Sequence, residues 1–302
     1  MRNHFSALCV LLCVVFNFVS CRQEPETAQA FVPLFSTYKS DTTASHPGNA
    51  KNEILYGLLT PIEVSNTFNR LAVPYNNYVV NPVSNMKNYL SISKISINTG
   101  VYGVDFTYLK MFGMGQEMID YMVTIHEMFS KLGLPDRLMS EPLRKIKDDL
   151  LVPDSIVPLM HKAFSDVDEE LRKNNRSSTS GLMMMGGWVE ALFIATQLVY
   201  DPANPDPAVV EKIAEQKYTL VSLLSFMKNH YDDPVVVYYT KKLKYLKKYF
   251  DTFDIYFKKG DLEIDTEKNV IRASGSEMNV TVETLNNIRD YISRLREELT
   301  AP

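Results

Sequence analysis

A polar residue stands directly before a proline at the start of four segments of this chain. These are Thr60-Pro61, Asn81-Pro82, Asp206-Pro207 and Asp233-Pro234. The polar side chain can accept a hydrogen bond from a free backbone N–H of a first helical turn. Proline fits that turn because its missing N–H would have no partner there. Glu63 adds a capping box to the first of the four. The signatures predict helix starts and make helix the main structure of the chain.

Apolar residues in three segments recur at steps of three and four. The first run is Met118, Met122, Ile125, Phe129 and Leu132, followed by Gly133 as a stop. The second is Tyr239, Leu243, Leu246, Phe250, Phe253 and Phe257, and the third is Leu285, Ile288, Ile292, Leu295 and Leu299. Such stripes are typical of helices that pack on a core with one side. Residues 100–112 and 182–200 are apolar almost all round, which predicts two helices covered by the others.

One stretch near the end of the chain has strand character. A polar turn separates residues 261–264 from residues 270–273, and this pattern predicts a small β-hairpin before the last helix. We therefore expect an all-α fold, a multi-helix bundle of about nine or ten helices with one small β-hairpin near residues 261–273.

The first 20 residues have the layout of a secretory signal peptide. Arg2 gives a positive start, and residues 5–19 are mostly apolar. This segment is shorter than the roughly 20 apolar residues of a spanning helix. The following Cys21 completes a lipobox in which Phe18 stands at the position where leucine is common. We expect residues 1–20 to be a lipoprotein signal peptide and Cys21 to carry the lipid. An ordinary cleaved signal and an uncleaved anchor helix are the alternatives.

The composition of the chain after the expected signal peptide limits how the rest of the chain can be organised. Residues 22–52 are polar and have no period, which indicates a flexible tether. Residues 53–302 are expected to form a single helical domain. Because Cys9 and Cys13 lie in the signal, the mature chain keeps only Cys21, which excludes an internal disulfide and a thiol nucleophile. The net charge of −4, with Lys and Arg spread along the chain, gives no indication of nucleic-acid binding.

Asp105 and Glu190 are each the only acidic residue in one of the two segments that are apolar all round. A buried carboxylate is costly unless it is paired or neutralised. With Tyr102 one turn before Asp105, and with His126 on the core side of its helix, they form a candidate buried polar site. Two facing carboxylates suit acid–base chemistry or the binding of a cation or amine. The alternative is structural: the carboxylates accept hydrogen bonds and hold the bundle in register. For His126 the alternative is a partly buried, hydrogen-bonded side chain.

The string Met183-Met184-Met185-Gly186-Gly187-Trp188 is the most unusual in the chain. Methionine side chains adapt to irregular shapes, and glycine lacks a Cβ. The string therefore suits either an adaptable apolar pocket or the close packing of two helices. Trp188 is the only tryptophan, so its emission would report this position alone.

Lysines cluster opposite the Tyr239–Phe257 stripe, at positions 241, 242, 244, 247, 248, 258 and 259. A solvated helix face is the usual meaning of such a run. Contact with anionic membrane headgroups is the alternative.

The motifs of common cofactor and metal sites do not occur in the sequence. HExxH, GxGxxG, GxxxxGK[ST] and GxSxG are all missing. A segment beginning at Asp265 starts like a calcium loop, but Val270 and Ser276 stand where that loop needs Gly and Glu. We expect no metal site and no cofactor.

Several of these residues resemble the pattern of a known family. Thr60-Pro61-x-Glu63, Asn81-Pro82 and an Asn-x-Gly-x-Tyr-x-x-Asp motif at Asn98, Gly100, Tyr102 and Asp105 occur in this order. In this respect the chain resembles a family of uncharacterised helical lipoproteins of the Bacteroidota, mainly over residues 55–135. The resemblance implies a helical fold and a place in the outer membrane, and it implies no activity.

Three functional hypotheses follow from the sequence. The first is an interaction or scaffold module of the cell envelope, held at the membrane through the lipid on Cys21 and contacting an envelope protein partner. The second is a binding protein for a small molecule or peptide, with a pocket near Met183–Trp188. The third is a hydrolase or lyase that uses Asp105 and Glu190 as acid and base.

Overall fold

The part of the chain that the computed structural model describes is mainly helical, as predicted. It comprises residues 73–140, 144, 153–257, 262–265, 270–273 and 276–301. A 3-10 helix, Val83–Asn88, precedes α1 (Ile92–Met111), and α2 (Gly115–Lys131), α3 (Pro153–Lys173) and α4 (Ser177–Ile194) follow. α4 continues through a π-helical turn, Ala195–Val199. Helices α5 (Pro207–Lys228), α6 (Pro234–Phe250) and α7 (Val282–Thr300) follow.

Two of the predicted helix starts have the expected cap. The Asp206 side chain accepts hydrogen bonds from Ala208 N–H and Val209 N–H at the start of α5. The Asp233 side chain accepts one from Val235 N–H at the start of α6, at 2.8 Å. Both predictions are confirmed.

The prediction that Asn81 caps a helix is wrong. The Val83–Asn88 helix has Pro82 at its N-cap and no side-chain cap bond. Asn81 is fully buried, and its side chain is hydrogen-bonded to Tyr89 and Asn98 instead. The sequence signature failed here because two buried polar partners compete for the amide.

The ends of the helices follow the glycine signals better than the apolar period. Gly133, predicted as a stop, has a positive φ of 66° just after α2, a conformation that glycine adopts without strain. The stripe from Tyr239 was expected to continue to Phe257, but α6 ends at Phe250. Phe253 is buried in the turn that follows, and Phe257 lies in a strand. The apolar period thus continues through a turn that still packs on the core.

Short strands follow α6. β1 (Ile255–Phe257) pairs antiparallel with β4 (Ser276–Met278), and β2 (Leu262–Asp265) pairs antiparallel with β3 (Val270–Ala273). Residues 266–269, which would form the turn of the predicted hairpin, lie outside the described residues, so the hairpin stays a prediction.

Helices α1 and α4 lie at the centre and approach each other closely. A Cβ added to Gly100 would lie 1.9 Å from the carbonyl oxygen of Met183, and one added to Gly186 would lie 2.0 Å from that of Ile97. Only glycine permits this distance between the two backbones. The prediction of two central helices is confirmed, since almost every residue of the first part of α4 is buried.

The apolar core has two clusters, and both include residues of α1 and α4. One cluster joins α4 with α5, α6 and α7, and Trp188, Leu223 and Leu246 are among its members. The other joins α1 with α2 and α3, and includes Phe106 and Ile125. The stripes predicted on α2 and α7 are buried in these clusters, as expected.

The C-terminal end of α7 is held by the beginning of α1. Lys94 Nζ donates to the carbonyl oxygens of Glu298 at 2.9 Å and Ala301 at 2.9 Å. Asn98 donates to the Leu299 carbonyl at 3.0 Å. A cation at a helix C-terminus also interacts favourably with the helix dipole. This contact joins two helices that are far apart in sequence.

Several predictions concern residues outside the described part of the chain. These are the signal peptide 1–20, the lipid on Cys21, the tether 22–52 and the helix start at Thr60. Among the described residues, one helix, Ser177–Val199, is long and apolar enough to cross a membrane by length and composition, and most of it is buried in the domain.

Candidate functional site

The two acidic residues predicted as a pair lie together in the centre of the domain. Asp105 projects from α1 and Glu190 from α4, and neither has any solvent exposure. They meet because the glycine contact brings the two helices together. A third charged residue, Arg296 of α7, completes the cluster. We call these three residues the buried charge cluster.

Arg296 binds Glu190 through two parallel hydrogen bonds. Its Nε donates to Glu190 Oε2 at 2.9 Å, and its Nη2 donates to Oε1 at 3.0 Å. Nη2 also donates to the carbonyl oxygen of Val79, and the guanidinium lies 4.7 Å from the centre of the Phe193 ring. This bidentate geometry is the strong form of an ion pair, and it leaves the guanidinium well satisfied.

Asp105 differs from Glu190 in its partners. Its Oδ2 accepts a hydrogen bond from Asn81 N–H at 3.0 Å, while no donor reaches Oδ1 among the described residues. Glu190 is the neighbouring charged group that acts most strongly on Asp105. Ionising both of two neighbouring buried carboxyl groups is unfavourable, and the guanidinium favours the ionised form of Glu190. Of the two carboxyl groups, Asp105 is therefore the one whose surroundings favour the neutral form.

The electrostatics of the cluster agree with this assignment. Burial, followed by the neighbouring Glu190, raises the pKa of Asp105 well above its usual range. Burial also raises the pKa of Glu190, and the Arg296 guanidinium opposes that rise. With a neutral Asp105, an anionic Glu190 and a cationic Arg296, the buried charges sum to zero.

A network of polar residues surrounds the buried charge cluster and connects it to the segment that precedes α1. Asn81 accepts from Tyr121 Oη through its backbone carbonyl at 2.7 Å, and its side chain bonds to Tyr89 and Asn98. Tyr102 donates to the Pro82 carbonyl at 2.9 Å. Burial raises the pKa of Tyr102 and that of Tyr121, so both phenols stay neutral.

His126, predicted as part of the buried polar site, lies elsewhere. Its side chain is about one-third exposed, and its Nε2 is paired with Asp136. The residue lies on α2, at a position where the ring reaches the surface beside the loop that carries Asp136. The inclusion of His126 in the site is wrong, and the alternative of a partly buried, hydrogen-bonded histidine matches its position.

The string Met183–Trp188 is used in packing. Met185 and Trp188 have no exposure, and the space beside Gly186 and Gly187 is filled by the backbone of α1. Trp188 Nε1 donates to the side chain of Gln216 on α5 at 3.1 Å. The side chains and glycines of this string therefore serve helix contact rather than lining open space.

The predicted lysine run occupies the solvent side of α6. Lys242 pairs with Glu298 of α7 at 2.8 Å, and Lys247 pairs with Asp251. Lys241, Lys244 and Lys248 are exposed. The positions 258 and 259 lie outside the described residues.

Arg296 is the main residue of the site that the sequence prediction missed. It lies four residues after Ile292 and therefore on the same side of α7 as the apolar stripe. A charged residue at a stripe position was the available signal for a buried partner of an acidic residue.

Three comparisons with known proteins found no match to this chain. No protein-family model, no curated protein and no solved structure matches the chain. Within the described residues there is no group of three or more His, Cys, Asp or Glu side chains that could hold a metal ion.

The motif residues Asn98, Gly100, Tyr102 and Asp105 all lie at the α1–α4 contact or in the buried network. They therefore have a structural explanation.

Proposed function

We propose that this chain is a lipid-anchored protein of the bacterial envelope that acts as an interaction or scaffold module. The observation that carries the proposal is the state of its two central carboxyl groups. Both are fully buried, and Glu190 is bound by Arg296 through two hydrogen bonds. Acid–base catalysis needs a group that reaches its substrate. The residues best suited to chemistry are thus engaged in holding helices together, and this favours action through the surface.

The proposal includes the location. The expected signal peptide at 1–20 and the lipid on Cys21 would place the domain at the membrane on a tether of residues 22–52, and the family resemblance favours the outer membrane of a member of the Bacteroidota. A lipid anchor together with a tether limits the volume that the domain samples and raises the effective concentration of a partner in the same envelope.

The alternative of a ligand-binding protein has less support. Its pocket was expected near Met183–Trp188, and these side chains are packed against α1 and α5. The alternative of a hydrolase or lyase would require Asp105 and Glu190 to face solvent, and both are buried.

The experiment is a cross-linked pull-down from membranes that compares the wild-type chain with Cys21→Ala. Labelling with radioactive palmitate shows in parallel whether the wild type carries a lipid. We expect lipid on the wild type alone, together with one stoichiometric envelope protein captured by the wild type alone. If the labelled wild type captures the same background proteins as the variant, the proposed interaction is wrong.

A further inference from the structure

The solvent side of α6 alternates tyrosine and lysine along one line. Tyr238, Lys241, Tyr245 and Lys248 follow one another at steps of three, four and three, so they share one face of the helix. Tyr238 is 49% exposed and Tyr245 is 54% exposed, although both rings are large and partly apolar. With Lys244 beside them, these residues form what we call the Tyr–Lys face.

All the charged side chains of α6 are positive. α6 contains five lysines and no acidic residue, in a chain whose net charge is −4. Lys242 and Lys247 are neutralised by Glu298 and Asp251. The other three lysines have no carboxylate partner in the described part of the chain, and they belong to the Tyr–Lys face. The face therefore presents net positive charge to solvent.

The lysines and the tyrosines of the face are organised together. Lys248 Nζ lies 4.6 Å from the centre of the Tyr245 ring, and that ring stacks on Tyr291 of α7 with a ring separation of 6.0 Å. Lys244 Nζ lies 5.6 Å from the centre of the Tyr231 ring, which is also exposed. The rings thus hold the cations at the surface, in contact with water on the outer side.

We propose that the Tyr–Lys face lies against an anionic membrane surface, with its lysines on lipid phosphates and its tyrosine rings at the level of the headgroups. Tyrosine is enriched at membrane–water interfaces, and lysine near an anionic leaflet gains from its surface potential. Protein–protein interfaces are depleted of lysine, which argues against an acidic protein as the occupant. The proposal rests on the proposed lipid anchor only in that the anchor brings the domain to the membrane.

The geometry suits a helix that lies flat on the surface. The line from Tyr238 to Lys248 covers ten residue steps, or about 15 Å of helix axis. The opposite side of α6 is buried through Leu243 and Leu246, so the helix is fixed in the domain while its outer side is free. Contact through this face would set the orientation of the whole domain relative to the membrane.

The test measures binding of the full chain carrying Cys21→Ala to vesicles, so that no lipid anchor contributes. The readout is the ratio of partitioning into phosphatidylglycerol–phosphatidylethanolamine vesicles to partitioning into phosphatidylcholine vesicles. This ratio cancels any apolar contribution of residues 1–20, which is common to all proteins compared. The face variant combines Lys241→Gln, Lys244→Gln and Lys248→Gln. The control variant combines Lys87→Gln, Lys162→Gln and Lys173→Gln, which removes three exposed positive charges from other elements.

We expect the ratio to fall about 100-fold in the face variant, at about fivefold per lysine, and to change little in the control variant. Raising the salt from 0.1 M to 0.5 M should lower the ratio for the parent chain, because such attraction is screened. Unchanged Trp188 emission would show that each variant is folded.

Equal ratios for the face and control variants would overturn the proposal, as would equal binding of the parent chain to both vesicle types. Loss of a cross-linked acidic protein in the face variant, with vesicle binding intact, would also overturn it and identify the face as a protein-binding site. A missing lipid on Cys21 would contradict the proposed function but would leave the vesicle result unaffected, so the two failures are distinguishable.

Discussion

Asp105, Glu190 and Arg296 place two carboxyl groups and one guanidinium where almost no water reaches them. Moving charges out of water is costly, and the attraction between them repays this only when the geometry is good and every polar atom has a partner. Here Arg296 compensates the charge of Glu190 through two hydrogen bonds, and the raised pKa of Asp105 favours its uncharged form. The cluster fixes how α1, α4 and α7 are placed relative to one another.

Asp105→Asn should remove part of the pH dependence of stability. The folded chain keeps the Asp105 proton at pH values where an unfolded aspartate has lost it, so the unfolded state binds fewer protons. This contribution is fully present below about pH 4 and is lost as the pH rises through the raised pKa, by at most about 1.4 kcal/mol per pH unit. An amide can bond to both Asn81 and Glu190 without a proton. Urea unfolding followed by Trp188 emission, from pH 4.5 to 8.5, measures the effect.

The wild type should therefore lose stability relative to the variant as the pH rises. Asp120→Asn, at an exposed position of α2, controls for the loss of one acidic side chain. Parallel curves for the wild type and Asp105→Asn would show that Asp105 does not hold a proton in the folded chain.

Glu190→Gln should be strongly destabilising because it removes the carboxylate that binds the Arg296 guanidinium, and the Arg296 side chain is only 14% exposed. We expect a loss of about 3–5 kcal/mol in the free energy of unfolding. Arg296→Met should also be costly. The double variant should cost clearly less than the sum of the two, since the buried charges are then gone together. Additive costs in urea unfolding would mean that the two residues do not act as a pair.

The pair of acidic residues could be predicted from sequence, but its partner could not. One acidic residue in each apolar helix indicated burial at Asp105 and Glu190. Helix spacing shows only neighbours on the same helix, so it named no residue that would neutralise the two carboxylates. Arg296 reaches Glu190 across 106 positions of sequence, and only the packing of α7 on α4 brings them together.

At the scale of elements, the contact of α1 with α4 is the feature on which the others depend. It is built by glycines on both helices, so that each backbone lies where the other helix would otherwise carry a side chain. Close packing of this kind leaves little room for adjustment, because interiors are packed at crystal-like density.

Gly100→Ala and Gly186→Ala should each destabilise the chain by at least about 2 kcal/mol, since overpacking against a backbone cannot be relieved by a rotamer change. The added methyl groups would meet carbonyl oxygens at 1.9 Å and 2.0 Å. Gly115→Ala is the matched control: it lies in the first turn of α2, and nothing is found within 4 Å of the added Cβ. Its expected effect is neutral, or a gain of about 0.5–1 kcal/mol. Thermal unfolding of the three variants makes the comparison, and equal shifts would contradict the close approach.

The sequence predicted helix boundaries well where one residue determines the boundary. It predicted them less well where packing against other elements determines the boundary. The caps at Asp206 and Asp233 bond locally, and Gly133 needs only its own backbone freedom. Asn81 has the same local signature but bonds to residues from other turns. The end of α6 at Phe250 was missed because Phe253 remains buried after the helix has ended.

At the scale of the whole molecule, the two apolar clusters share α4. Met183 belongs to the cluster with α1, α2 and α3, while Met184 and Trp188 belong to the cluster with α5, α6 and α7. Neighbouring residues of α4 thus contribute to both clusters. Moving α4 away would therefore expose apolar residues of both clusters.

We therefore expect both clusters to unfold in one transition. Hydrogen exchange followed by mass spectrometry in increasing urea should show α2 and α6 losing protection at the same urea concentration, and Trp188 emission should change there as well. α2 reports one cluster, and α6 and Trp188 report the other. Two separate midpoints would show that the domain consists of two independent folding units.

The sequence separation between Glu190 and Arg296 also orders events during biosynthesis. Translation and export both deliver a chain from its N-terminus. A nascent chain that has emerged as far as α6 already contains the carboxylate of Glu190 but still lacks its guanidinium, and Lys94 of α1 has no α7 carbonyl to bind. Pairing of α1 with α4 at that stage would seal an uncompensated charge in the interior. The chain is therefore expected to stay loosely structured until α7 has been delivered, which would suit the export that we propose.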